Sequence, residues 1–162
     1  LGFRSEFMTQ TRGTGILHHN FDGYEPNKGE FAHRTRGSLI ALEDGTSVAY
    51  AMWKLRERST FFMEPGVKVY RGMVVGENSR EHDMVVNVCK TKHLTNMRAS
   101  GSDEAIRLET PHIMTLEQAI EWIGDDEYVE VTPKTIRLRK RYLDHNERNR
   151  MSKKKAVMED VE

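Results

Sequence analysis

Residues 90–101, "KTKHLTNMRASG", gather Lys90, Lys92 and Arg98 in one stretch without a carboxylate, and the sign turns only at Asp103 and Glu104. Ammonium and guanidinium groups at that density can neutralise phosphates. Thr95, Asn96 and Ser100 can hydrogen-bond to backbone and ribose oxygens, and His93 belongs to the same set. The small Ala99 and Gly101 would let the main chain approach a ligand closely. On composition alone, however, a surface loop without a ligand is the better account. A second basic pattern, "KTIRLRKR" at 134–141, sets Arg137, Arg139 and Arg141 against Ile136 and Leu138. On a strand this alternation puts the arginines on one face and the aliphatics in the core. Such a comb suits an RNA backbone, and it also suits an edge strand guarded from pairing by charge.

Catalytic chemistry is hard to find. No Gly-x-x-x-x-Gly-Lys-Ser/Thr phosphate loop is present, since "GSDEA" and "GENSRE" lack the lysine and the preceding buried strand. The single Cys89 excludes an internal disulfide and four-thiolate zinc sites. Lys90 or His93 could activate it, but it closes the apolar run "VVNVC", where an inert thiol is the expectation. His18 and His19 are adjacent, so on a strand they would point to opposite faces and could not share a metal. Asp125 and Asp126 follow a helical pattern and read as a solvated turn. No catalytic residue, metal or cofactor is expected here.

The elements that must position the basic segments belong to a chain of 162 residues, one medium domain or one domain plus part of another. At 37% hydrophobic it can bury a core, and 31% charged residues leave a heavily solvated surface. No apolar run approaches the roughly 18 residues of a membrane span. The start at Leu1, without a signal-like region, reads as a segment cut from a longer protein. A reducing, cytoplasmic setting is the default. The net charge of zero conceals two fields. Residues 102–131 hold nine acidic side chains against Arg107 alone, and 132–155 hold ten basic ones against Asp144 and Glu147. Either one face meets a polyanion, or the blocks neutralise each other.

Residues 1–11 predict a short helix ending at Gly13, and the alternation of 14–24 predicts a strand. A helix and one strand cannot enclose a core, so residues 1–26 read as the end of a truncated domain, with a linker at "EPNKGE". From there to about residue 143 the spacing predicts an α+β domain around a curled, antiparallel, barrel-like sheet. "RGSLIALEDG" is a strand with an Asp-Gly turn. "SVAYAMWKLRERS" favours a helix capped by Ser47, although its alternation would also suit a strand. "TFFMEPGVKVYRGMVVGEN" gives three short strands turned at Pro65-Gly66 and Gly72, and "DMVVNVC" another. "TLEQAIEWIGDD" is a helix with Thr115 and Gln118 in a capping box. "YVEVTPKTIRLRKR" gives two strands broken at Pro133. Residues 144–162 open a basic helix and end in a disordered tail.

The motifs "TRGTGI", "FDGYEPNKGE", "ALEDGTSVAYAMWKLRER", "EPGVKVYRGMVVGE", "LTNMRASGSDEA", "MTLEQAIEWI" and "VEVTPKTIRLRKRYLD" occur in order over nearly the whole chain. Together they resemble the C-terminal domain of the BipA/TypA translational GTPases, relatives of elongation factor G. Residues 1–26 then resemble the end of that family's elongation factor G-like fifth domain. "HNERNRMSKKKAVMEDVE" carries no sharp family signature. The resemblance implies a ribosome-binding module whose long loop approaches the acceptor end of A-site tRNA. It implies that the intact protein hydrolyses GTP with Mg²⁺ in a domain outside these residues. It also implies a role in translation or large-subunit assembly under stress. With it, the RNA-contact reading of 90–101 overtakes the loop without a ligand. A protein-interaction module, docking its acidic block on ribosomal proteins, is the alternative. An unpaired edge at 14–24 would also open a route to dimerisation of the chain in isolation.

Overall fold

The computed structural model describes residues 3–26, 34–91 and 107–159. Helix α1 (Phe3–Gln10) stacks Phe3 on Phe7 at 6.0 Å. It ends where Arg12 and Gly13 take left-handed φ of 52° and 79°. The strand expected at 14–24 does not form. Ile16, Phe21 and Tyr24 are 80%, 76% and 98% exposed, and no described strand lies beside this segment to complete a ladder. Alternation supplies a face, but a strand also needs a neighbour for its N–H and C=O groups. Most of the expected linker falls on 27–33, outside the described residues.

The central sheet is built on β5 (Met73–Asn78). Strand β1 (Ser38–Ala41) pairs antiparallel with it, Leu39 opposite Gly76, with a shift in register before Ile40. On the other edge of β5, β3 (Ser59–Phe61) takes Glu77 and Gly76 while β8 (Ile136–Lys140) takes Met73 and Val74. Gly76 allows this crowding, because a Cβ there would stand 2.5 Å from the Thr60 carbonyl oxygen. Strand β7 (Glu127–Val131) forms a hairpin with β8 across Pro133, and β6 (Met84–Val86) lies parallel to β1. A small ladder joins β2 (Gly45–Thr46) to β4 (Lys68–Val69). The six-stranded sheet, mostly antiparallel, is open among the described residues: β6 and β7 end the path and do not pair with each other. The α+β expectation holds, and the barrel-like closure is corrected to an open sheet.

Both faces of the sheet are covered, so β1 and β5 are near-continuous apolar runs. Leu39, Ala41, Met73 and Val75 pack with Met52 and Phe61 on one side, while Val74 and Leu138 pack with Ala119 on the other. Helix α2 (Ala49–Leu55) forms as the spacing favours, and continues as a 3₁₀ turn, Arg56–Arg58. Ser47 does not cap it. Val48 holds the cap position, and the Ser47 hydroxyl instead donates to the Glu64 carbonyl and accepts from the Val67 N–H. Helix α3 (Leu116–Trp122) has the expected capping box, with both Thr115–Gln118 bonds in place. Thr115→Ala is expected to cost about 1 kcal/mol, read as a lower urea midpoint at unchanged slope. Helix α4 (His145–Glu159) starts on the Asp144 carboxylate, which accepts from the N–H groups of Asn146 and Glu147. The tail expected to be disordered from 152 is helical as far as Glu159; "SKKKAVME" has good helix formers and neither Gly nor Pro.

Candidate nucleic-acid interface

Of the first basic segment, Lys90 is described and exposed. Lys92, His93, Thr95, Asn96, Arg98 and Ser100 lie outside the described residues. Cys89, just before Lys90, is half-buried. Burial, and then the charges of Glu43 and Asp44, push its thiol up, so it is a poor nucleophile at neutral pH. His18 and His19 are exposed, and among the described residues no three metal-ligating side chains converge.

The arginine comb is only partly what its alternation suggests. Arg137 and Arg139 share a half-buried face of β8, and Arg141 lies exposed beyond its end. Arg139 is engaged: its Nε lies 2.8 Å from a Glu130 carboxylate oxygen, and its guanidinium sits 5.0 Å from the Tyr128 ring centroid. Glu130 also accepts from the Tyr70 hydroxyl, and burial followed by that bond pushes Tyr70 up. Ile136, expected in the core, is 38% exposed near the hairpin turn. The inward positions of β8 are Leu138 and Lys140.

Lys140 is the residue that the pattern does not single out. Its side chain is 1% exposed, and its Nζ lies 2.8 Å from both Asp126 and Glu127 while also meeting Asp83. Glu127, with a side chain 0% exposed, takes a two-pronged bond from Arg34 at 2.8 and 3.0 Å. It accepts further from the Ser38 hydroxyl and the Gly124 N–H. Asp83 accepts from the Ser38 N–H at 2.7 Å, and Arg34 lies 4.1 Å over the Trp122 ring. The cluster thus ties the residues before β1 and β6 to the β7–β8 hairpin. No described buried side-chain nitrogen or oxygen lacks a partner. It also decides between the two readings of the charge fields, in part. Asp126, Glu127 and Glu130 from the acidic block are paired with Lys140 and Arg139 from the basic one.

Burial alone would raise the Glu127 and Asp83 carboxyls. For Glu127 the Arg34 bond and the Lys140 charge outweigh burial, and for Asp83 the bond and charge of Lys140 do. Both are held below the usual carboxylate range. Burial would lower Lys140, but the Glu127 charge and the bonds to Asp126 and Asp83 raise it. Depressed carboxyls contribute stability that is present above about pH 4 and lost as pH falls through their folded values. A raised lysine contributes stability that is present below about pH 10.4 and lost as pH rises through its higher folded value. The urea midpoint is expected to hold across neutral pH and fall steeply in acid. A main fall between about pH 6 and 8 would point to histidine and contradict this account.

Residues 36–145 match the family model described as the TypA/BipA C-terminal domain, a span that takes in the whole six-stranded sheet. The chain belongs to the TypA/BipA family. It is 44% identical over 158 residues to "Large ribosomal subunit assembly factor BipA" of Bacillus subtilis strain 168, covering 97% of this chain and 26% of that protein. It is 50% identical over 154 residues to the protein of the same name in Escherichia coli K12, covering 94% and 25%. The Synechocystis counterpart is 49% identical over 140 residues, covering 86% and 24%. The chain thus spans about a quarter of the length of these relatives. The family match covers the C-terminal domain and no GTPase domain. No helix among the described residues is long and apolar enough to cross a membrane.

Proposed function

We propose that this chain is the ribosome-contacting module of a BipA/TypA translational GTPase. In this reading it touches ribosomal RNA and the acceptor end of A-site tRNA, and supports large-subunit assembly or translation under stress in the cytoplasm. The observation that carries the reading is the match of residues 36–145 to the family's C-terminal domain, whose relatives are named large-subunit assembly factors. Exposed Lys90 heads the cationic segment and supports it. GTP and Mg²⁺ are assigned to a domain outside these residues, and no catalytic step falls to this chain.

The protein-docking alternative needs a free acidic face. It is weakened because Asp126, Glu127 and Glu130 are already paired within the domain. Binding of the chain to protein-free large-subunit RNA, titrated over a salt series, tests the proposal. Affinity should fall steeply, with a slope of about 0.7 to 0.9 log units per phosphate contact. Absence of binding to naked RNA, with retained binding to ribosomal proteins, would transfer the role to the docking alternative.

A further inference from the structure

We propose that the groove between α2 and β6 is a subsite for the sugar-phosphate backbone of RNA, formed by Tyr50, Lys54, Arg58 and Lys90. This deepens the RNA-contact reading and rests on it. The three cations line one groove with Tyr50, and no carboxylate lines it. Lys54, Arg58 and Lys90 are all exposed, and none takes part in an ion pair among the described residues. Arg34, Arg36, Arg56, Arg71, Arg139 and Lys140, by contrast, are each paired with a carboxylate. The groove therefore concentrates positive charge that the fold itself does not use.

The local structure explains why these residues meet. Tyr50 and Lys54 are one turn apart on α2, a rise of about 6 Å. The Lys54 ammonium sits 4.7 Å from the Tyr50 ring centroid, a cation–π contact that orders the lysine without neutralising it. The 3₁₀ turn carries Arg58 onward from the end of the helix. Beneath them Ala51 and Val86, each 6% exposed, form a floor that belongs to the core. Lys90 enters from the chain beyond β6. It is also the first residue of the cationic segment 90–101. Cations on a fixed floor beside a tyrosine, with no carboxylate in the lining of the groove, suit a phosphate backbone whose sugars and bases can lie against the ring.

The test is Lys54→Ala with Arg58→Ala, assayed against protein-free large-subunit RNA over a salt series. Both side chains are exposed, and an unchanged thermal midpoint checks the fold. Affinity should fall several-fold, and the salt slope should flatten by about 0.7 log units for each phosphate that is no longer neutralised. The charge-conserving pair Lys54→Arg with Arg58→Lys should keep the wild-type slope, which a misfolded variant would not. If the wild type binds with a salt-dependent affinity and the alanine pair matches it, the groove is not a subsite, although the broader RNA reading survives. A lower affinity at unchanged slope would also overturn it, since phosphate contacts must carry salt dependence. If the wild-type chain itself fails to bind RNA, both readings fall.

Discussion

Replacing Lys140 with Met is expected to destabilise the fold by about 3 kcal/mol, the lower end of the range for breaking a buried ion pair. Removing the ammonium leaves the fully buried Glu127 carboxylate with Arg34 and its neutral donors. Arg34 holds that carboxylate at two points, and Asp126, 61% exposed, can turn to water, which is why the lower end applies. The comparison with the next residue is the sharper part of the prediction. Arg139→Ala breaks a pair whose partners are about a third exposed, where the worth of such a pair is under about 1 kcal/mol. Two adjacent basic residues should therefore differ several-fold in cost. Adding Glu127→Gln to Lys140→Met should not restore stability, because it also takes the two-pronged carboxylate from Arg34. Urea unfolding of the three variants decides the matter. A Lys140→Met protein within about half a kcal/mol of the wild type would mean the cluster behaves like a surface pair.

That contrast also marks where the sequence is legible. Signals that act over a few residues agree with the structure: Thr115 and Gln118 around the start of α3, Pro65-Gly66 and Gly72 between short strands, Pro133 in the last hairpin. Gly72 shows how local the reason can be. Its φ is +81°, and a Cβ there would stand 2.6 Å from the Leu143 Cα. What depends on distant partners is not legible. The alternation of 14–24 is real, but a strand exists only beside another strand. In "RLRKR" the alternation sets Lys140 on the Leu138 face, but only the β5–β8–β7 register shows that Asp83, Asp126 and Glu127 receive it there. Ser47 has the right type for a cap, yet its hydroxyl is taken by the segment at 64–67. Among the candidate RNA-binding residues, Lys54 and Arg58 escape a reading of the sequence because only the packing of α2 beside β6 brings them to Lys90. The family assignment rests on ordered motifs, and those are local too.

The largest functional effect is expected from Lys90→Ala, Lys92→Ala and Arg98→Ala combined. The stretch that carries them is cationic and acid-free, and Lys90 at its head is exposed. Stability is expected to change little, within about half a kcal/mol per site, since exposed Lys90 heads a run of polar residues. Affinity for large-subunit RNA should drop, and its salt slope should flatten by about 0.7 to 0.9 log units for each phosphate left without its cation. Asn96→Ala and Ser100→Ala should weaken binding without changing that slope, because they remove hydrogen bonds and no charge. Protection of RNA on ribosomes carrying A-site tRNA supplies the geometric arm: the wild-type chain should protect the tRNA acceptor end, and the triple variant should lose that protection first. Loss of the cooperative unfolding transition in the triple variant would make these residues structural. An intact fold with wild-type affinity and slope would make them passive, and contact with ribosomal proteins would then be the better account of how this domain docks.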